Sequence, residues 1–308
     1  MSTSRPAVLE VADLHASRRG RGVLRGLSFD LEAGRCLGVT GPNGAGKSTL
    51  LAAIAGWLPA SRGSVRVLGQ PVRAGVVPLE VGLATQETIL YPRLTGRQNL
   101  ALFGFMYGLQ GAELKGRVEE MIERFDLGRW AGRWAYSYSA GVARRLHLAI
   151  AFIHRPAVLL LDEPTQALDT QARQVLLQSV AELLAQGTTV VLTSMNVADL
   201  EHLAHRVLVL VEGEARIHEE TARLAGRLGS ATVEIELGEG AGEVDLTGID
   251  GVLGWKVEEL VLTAQVTHPA RTLPAILQRL ERQGALAGRV EVRPPSLEQL
   301  LAELVPAG

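Results

Sequence analysis

Over residues 7–40, apolar and polar positions alternate in short bursts (Val8, Leu9, Val11; Leu27, Phe29, Leu31; Cys36, Leu37, Val39), which predicts several strands joined by glycine-bearing turns. The Arg- and Gly-rich residues 17–22 are expected to form a loop between two of them. Strands are also predicted at residues 63–69 and 81–84, the second leading to Gln86. From residue 95 to residue 134 the period becomes helical, with Leu100, Phe103, Met106 and Tyr107 and then Val118, Met121, Ile122 and Phe125, an inserted helical block. A helix over residues 139–153, capped by Ser139, leads into the unbroken apolar run 157–161, which fits a parallel strand buried on both faces and ends at Asp162 and Glu163. Helices at 170–186 and 197–204 alternate with strands at 188–192 and 207–211, so a parallel sheet wrapped on both faces is expected. Near residues 226–230 the pattern changes to strands at 232–237, 252–257, 260–267 and 290–292 with helices at 272–283 and 296–304. The expected organisation is an α/β domain over residues 1–228, with an antiparallel β part near its start and a helical subdomain at about 95–153, followed by a small α+β domain over 229–308.

Between the third predicted strand and the helix behind it lies GPNGAGKST, residues 41–49. It fits the phosphate-binding loop pattern of Gly, four residues, Gly, Lys, then Ser or Thr. Gly41, Gly44 and Gly46 let successive backbone N–H groups turn inward around an anion, with Pro42, Asn43 and Ala45 between them. Lys47 supplies a point charge to the outer phosphates, Ser48 a hydroxyl to Mg²⁺, and Thr49 opens a helix whose positive end faces the same anion. Of 31 basic residues only Lys47, Lys115 and Lys256 are lysines, so the lysine here does not come from a lysine-rich background. Asp162 and Glu163, at the carboxyl end of a buried strand, would face this loop if the two strands were neighbours.

Composition narrows the alternatives. With 308 residues there is room for about two domains, and a net charge of −2 gives no overall basic field for nucleic acid. The single cysteine, Cys36, excludes a disulfide framework and is expected to be a buried thiol. No apolar run approaches a membrane span or a secretory leader, so a cytoplasmic chain held to a membrane only through partners is expected. The histidines form no ligand-like cluster; His202 and His205 are expected on a solvated helix face, and Tyr91, Trp130 and Trp134 as packing residues.

In order, these residues resemble the nucleotide-binding subunit of an ATP-binding-cassette (ABC) transporter, over about residues 7–225. The phosphate loop is followed by Gln86 in the Q-loop place, YSAGV at 138–142 in place of the signature LSGGQ, LLLDEP at 159–164 as Walker B, and Ala167, Leu168 and Asp169 as the D-loop. The resemblance implies a P-loop NTPase cassette that binds ATP and Mg²⁺. Asp162, Ser48 and Gln86 would serve the metal, Glu163 would polarise the attacking water, and Gln86 would sense the γ-phosphate. Ser139 and Gly141 would close over ATP held by a second cassette, and membrane-spanning permease subunits would be driven from the cytoplasmic side of the membrane. VRPPSLEQLLAEL at 292–304 resembles the "PSLEDVFLEL" ending of exporter-type cassettes with a small C-terminal domain.

Three departures matter. Met195 stands where the family has its switch histidine, and Ala140 and Val142 replace the first glycine and the glutamine of the signature, while Ser139, Gly141 and Arg145 are kept. Near Ser17, Arg18 and Arg19 the family usually places an aromatic that stacks on adenine; an arginine plane can stack there, or Arg18 can simply be solvated. The readings that follow are an exporter ATPase subunit, a cassette that binds ATP but turns over poorly as the regulatory half of a transporter, and a soluble cassette ATPase acting on nucleic acid. The absence of a basic stripe counts against the third, and no nucleic-acid partner is expected.

Overall fold

A computed structural model describes residues 6–227, 231–238, 244–285 and 288–293. The expected helix at 296–304, with most of the VRPPSLEQLLAEL stretch, lies outside the described residues. The chain folds as two compact units that divide between Glu219 and Glu220, ahead of the boundary expected after residue 228.

The first unit opens with an antiparallel pair, β1 (Ala7–Arg18) and β2 (Arg21–Glu32). Their turn is only Arg19 and Gly20, both at positive φ (51° and 77°), the two-residue geometry that matches the twist of paired strands. Ser17, Arg18, Arg21 and Gly22 are therefore strand residues and not the expected loop, and the short hairpin fixes where Arg18 stands.

Next come β3 (Cys36–Thr40), α1 (Lys47–Ile54), β4 (Ala60–Val67), β5 (Gln70–Pro71) and β6 (Val81–Ala84). Strands β2-β1-β4-β5 form an antiparallel sheet in that order. The helical block is α2 (Gly96–Met106), α3 (Gly111–Arg124) and α4 (Ala140–Phe152). Thr95 opens α2 with a reciprocal capping box to Gln98, and the Ser139 hydroxyl caps α4 by accepting from the Val142 N–H at 3.4 Å.

The rest of the unit is β7 (Val158–Asp162), α5 (Thr170–Ala185), β8 (Thr189–Thr193), α6 (Val197–Leu203), β9 (Arg206–Val211) and β10 (Glu214–Glu220). The main sheet runs β10-β9-β3-β8-β7-β6, with parallel pairing from β9 through β6. Every residue of β3, β7 and β8 is buried, as unbroken apolar runs require. Each fully buried Leu or Val there contributes about 1.5–3 kcal/mol. The strand that ends in Asp162 is not beside the strand that feeds the phosphate loop; β8 lies between them.

The second unit contains α7 (Thr221–Arg227), β11 (Ala231–Glu236), β12 (Val252–Glu258), β13 (Val261–Val266), α8 (Pro269–Arg282) and β14 (Val290–Arg293). Its sheet, ordered β12-β13-β11-β14, is antiparallel throughout. Val233, Ile235, Leu262, Ala264 and Val266 pack with Ile276 and Leu280 of α8 in a core of their own. Among the described residues no helix is long and apolar enough to cross a membrane.

Candidate active site

The phosphate loop leaves β3 at Gly41, whose φ of 141° no side chain favours and whose added Cβ would lie 2.0 Å from the Leu210 carbonyl oxygen. The loop ends at Gly46 (φ 112°), which caps α1 with no side chain of its own. Lys47, the first residue of α1, turns its ammonium back over the loop and donates to the carbonyls of Gly41 at 2.7 Å and Pro42 at 3.2 Å. It also reaches the Met195 sulfur at 3.4 Å. Burial draws its pKa down, against the pull of Glu163 and Asp162.

Asp162 and Glu163 come into reach of this loop across β8 through Thr193, the last residue of β8. The Thr193 hydroxyl donates to Asp162 Oδ1 at 2.6 Å and accepts from the Glu163 N–H at 3.0 Å, so it bridges the two acids. Glu163 turns off the strand with a left-handed backbone (φ 44°), a conformation that costs a non-glycine residue and so needs holding. Thr193 holds the amide side of that turn. Arg144 of α4, only 3% exposed, holds the other side by donating to the carbonyls of Asp162 at 2.8 Å and Glu163 at 2.9 Å.

The Glu163 carboxylate accepts from the Met195 N–H at 3.1 Å through Oε2, whereas its buried Oε1 has no partner. Burial raises its pKa above the usual carboxylate range, opposed by the Met195 N–H and by Lys47. A carboxylate with one free buried oxygen and a raised proton affinity is suited to take a proton from water.

Lys47, Asp162, Glu163 and Met195 line one cleft of about 770 Å³, together with Arg18, Asn43, Gly44, Gly46, Ser48, Thr49, Gln86, Gln166 and Asn196. Gln86 donates to Gln166 at 3.1 Å across its mouth. Gly41, Pro42 and Ala45 shape the loop but do not line the cleft, and Ser139 and Gly141 stand apart from it; Gly141 lies beside Ala167 of the D-loop. Ser48, Gln86 and Asp162 offer hard oxygen donors with one carboxylate, the modest protein share that Mg²⁺ takes when phosphates complete its shell.

Sequence reasoning missed Thr193, Arg144 and Asp199. Asp199 is fully buried and joins three segments of the site. It accepts from Arg173 at 2.6 Å, from the Thr165 hydroxyl beside the acids at 2.6 Å and from the Ser194 hydroxyl beside Met195 at 3.3 Å. The signal for Arg144 was present, since it shares a helical face with Leu148 and Ala151, both fully buried, and a charge on an apolar stripe needs partners.

Elsewhere, Cys36 is a buried free thiol with its pKa pushed up to about 12 by burial. His205 is not on a helix face: it follows α6, and its Nδ1 accepts from the Cys36 N–H at 3.1 Å, while His202 is exposed on α6. Trp130 packs, with Tyr138 edge-on at 6.1 Å and Arg133 over its ring at 4.9 Å. Tyr91 packs its ring on Phe103 at 5.8 Å while staying 47% exposed, and Trp134, expected to pack, is 48% exposed.

The ABC transporter family model matches residues 24–166. The linearmycin resistance ATP-binding protein LnrL of Bacillus subtilis is 31% identical over 304 residues, covering 96% of this chain and 98% of that protein. The Nod factor export ATP-binding protein I of Paraburkholderia xenovorans is 37% identical over 233 residues, covering 74% of this chain and 76% of that protein. A solved ATP binding subunit of an ABC transporter superposes with a TM-score of 0.67 at 26% identity, covering 72% of this chain and 93% of that one.

Proposed function

The chain belongs to the ATP-binding family of ABC transporters, and on that premise we propose that it is the ATPase subunit of an exporter, binding MgATP in a cassette dimer and driving separate membrane subunits. As a member of this family it is a nucleotide-binding ATPase. The observation that carries the finer reading is the cleft in which Lys47, Ser48, Gln86, Asp162 and Glu163 converge, with one Glu163 oxygen left free. Lys47 and the loop amides bind and orient the phosphates. Ser48, Asp162 and Gln86 would hold Mg²⁺, which supplies further neutralisation of phosphate charge. Glu163 takes the proton of the attacking water.

The helix end capped by Ser139 stands outside its own chain's cleft, which suits a second cassette better than this one. Ile89, Tyr91, Trp134 and Tyr136 are 47–69% exposed on adjoining segments, joined by hydrogen bonds from Ala135 to Leu94 and from Tyr136 to Pro92. This aromatic surface supports docking to a membrane subunit. Export, and not uptake, is the direction supported by the names of the resistance and Nod factor export relatives. Met195 favours a second reading, a cassette that binds ATP but hydrolyses it slowly beside a more active partner.

The test is titration of the full chain with MgATP, alongside isolation from membranes with the products of neighbouring genes. Lys47→Ala is expected to weaken MgATP binding by about a hundredfold or more, since it removes the fixed cation of the cradle. Unchanged affinity in that variant, or recovery with RNA in place of membrane proteins, would overturn the proposal.

A further inference from the structure

Arg144 and His147 lie one turn apart on the buried face of α4, and both reach the loop that carries Gln86. Arg144 donates to the carbonyls of Thr85 and, at 3.2 Å, Gln86, besides those of Asp162, Glu163 and, at 3.4 Å, Pro164. His147 lies across the same loop: its Nδ1 is 2.8 Å from the Ile89 N–H, and its Nε2 is 3.2 Å from the Thr85 N–H and 3.5 Å from the Thr85 hydroxyl. Burial, reinforced by the Arg144 charge, pushes the His147 pKa down to about 4, so at neutral pH the ring is uncharged and carries one N–H. Both ring nitrogens face backbone N–H groups and a neutral ring accepts at only one, so the shorter contact makes Nδ1 the acceptor for Ile89, while the Nε2 edge lies against Thr85.

Resting on the reading of the cleft as the MgATP site, we propose that Arg144 and His147 are positioning residues that fasten the Gln86 loop and the Glu163 turn to α4. A movement of the helix begun at Ser139 would then move Gln86 and Glu163 together. Arg144 satisfies carbonyls on both segments at once, so neither can shift alone without leaving a buried acceptor unpaired. His147 holds the loop by accepting from Ile89 and lies against it at Thr85, with Gln86 between the two contacts. The lever is short: Arg144 follows the capping residue Ser139 by little more than one helical turn. Neither residue touches the cleft itself, so their effect on phosphate chemistry passes through Gln86 and Glu163.

The experiment uses the full chain and combines backbone hydrogen exchange of residues 85–89 with MgATP affinity and single-turnover hydrolysis. His147→Phe keeps the ring volume and removes the acceptor. It is expected to speed exchange at Ile89 by about tenfold, the worth of one hydrogen bond. The MgATP dissociation constant should stay within about twofold while the hydrolysis rate falls by about tenfold, because binding rests on Lys47 and positioning does not. His147→Gln, whose side-chain oxygen can accept from Ile89, should restore both exchange protection and rate.

Arg144→Lys keeps the charge but not the fork, and should slow hydrolysis while loosening residues 85–89 in the same way. Unchanged exchange at residues 85–89 in His147→Phe, or affinity lost in step with rate, would overturn the proposal. Failure of the wild-type chain to bind MgATP would instead overturn the reading of the cleft, and the exchange data would still judge the grip of α4 on the loop.

Discussion

Met195 is tied to the site by two contacts of different kinds. Its N–H donates to Glu163, a backbone contact that any residue but proline can make, and its sulfur lies against Lys47, a soft contact that leaves the ammonium available. A thioether can neither donate a hydrogen bond to phosphate nor orient water. Loss of one well-placed polar group in a transition state typically costs about a hundredfold to a thousandfold in turnover. Met195→His is therefore expected to raise steady-state phosphate release by at least about tenfold, and by more than Ala140→Gly combined with Val142→Gln. Brisk turnover of the wild-type chain with no gain from the histidine would show that another group does this work. Glu163 adds a pH dependence. Because its pKa is raised, the fraction of active carboxylate, and with it the hydrolysis rate, should keep climbing with pH above the ordinary glutamate value of about 4.3, in a limb that Glu163→Gln abolishes. These two residues were legible from their places in ordered motifs. Thr193 and Asp199 were not, because their roles consist of contacts brought near only by the fold; Arg144 was legible as a charge on an apolar stripe, but the carbonyls it meets were not.

At the scale of elements, the pieces with strong local signals were readable: the capped helix α4, the buried strands β7 and β8, and the loop between β3 and α1. Strand order was not, since nothing local says that β8 separates β3 from β7, and the bridging role of Thr193 follows from that order. The strand β10 escaped notice because EARIHEE is half-exposed and mostly polar, without the alternation that marks a strand with one buried face. The two-residue hairpin of β1 and β2 was hidden in a run of Arg and Gly that resembles a longer loop. Asp199 shows what joins these elements, since it accepts from α5, from the segment after the acids and from the segment before Met195. Removing one partner from a buried charged pair typically costs about 3–5 kcal/mol. Arg173 is 33% exposed and recovers some hydration when left alone, so Asp199→Ala should lower unfolding stability by about 2–3 kcal/mol, read as a shifted urea midpoint. A shift below about 0.5 kcal/mol would show that the network is incidental.

For the whole molecule, the question is what a single chain lacks. The cleft has its cradle and its acids, but Ser139 and Gly141 stand outside it, so the proposed working unit is two cassettes head to tail, each capping the other's nucleotide. In a dimer of identical chains Met195 and the altered signature would weaken both sites. With a different partner the defects divide: one site pairs Met195 with the partner's signature, and the other pairs this chain's signature with the partner's switch residue. The two arrangements are separable by Glu163→Gln, in which the amide keeps the side chain's shape but cannot take the proton from water, so a dimer closed by ATP should persist. If identical chains suffice, MgATP should shift Glu163→Gln to twice the monomer mass in solution, while the wild type returns to monomer as ATP is consumed. If a different cassette is required, Glu163→Gln should stay monomeric with saturating MgATP and dimerise only when the partner is added. Unchanged mass in both conditions, with MgATP bound, would mean that closure needs the membrane subunits as well, and the cassette pair would no longer be the unit that turns ATP binding into motion.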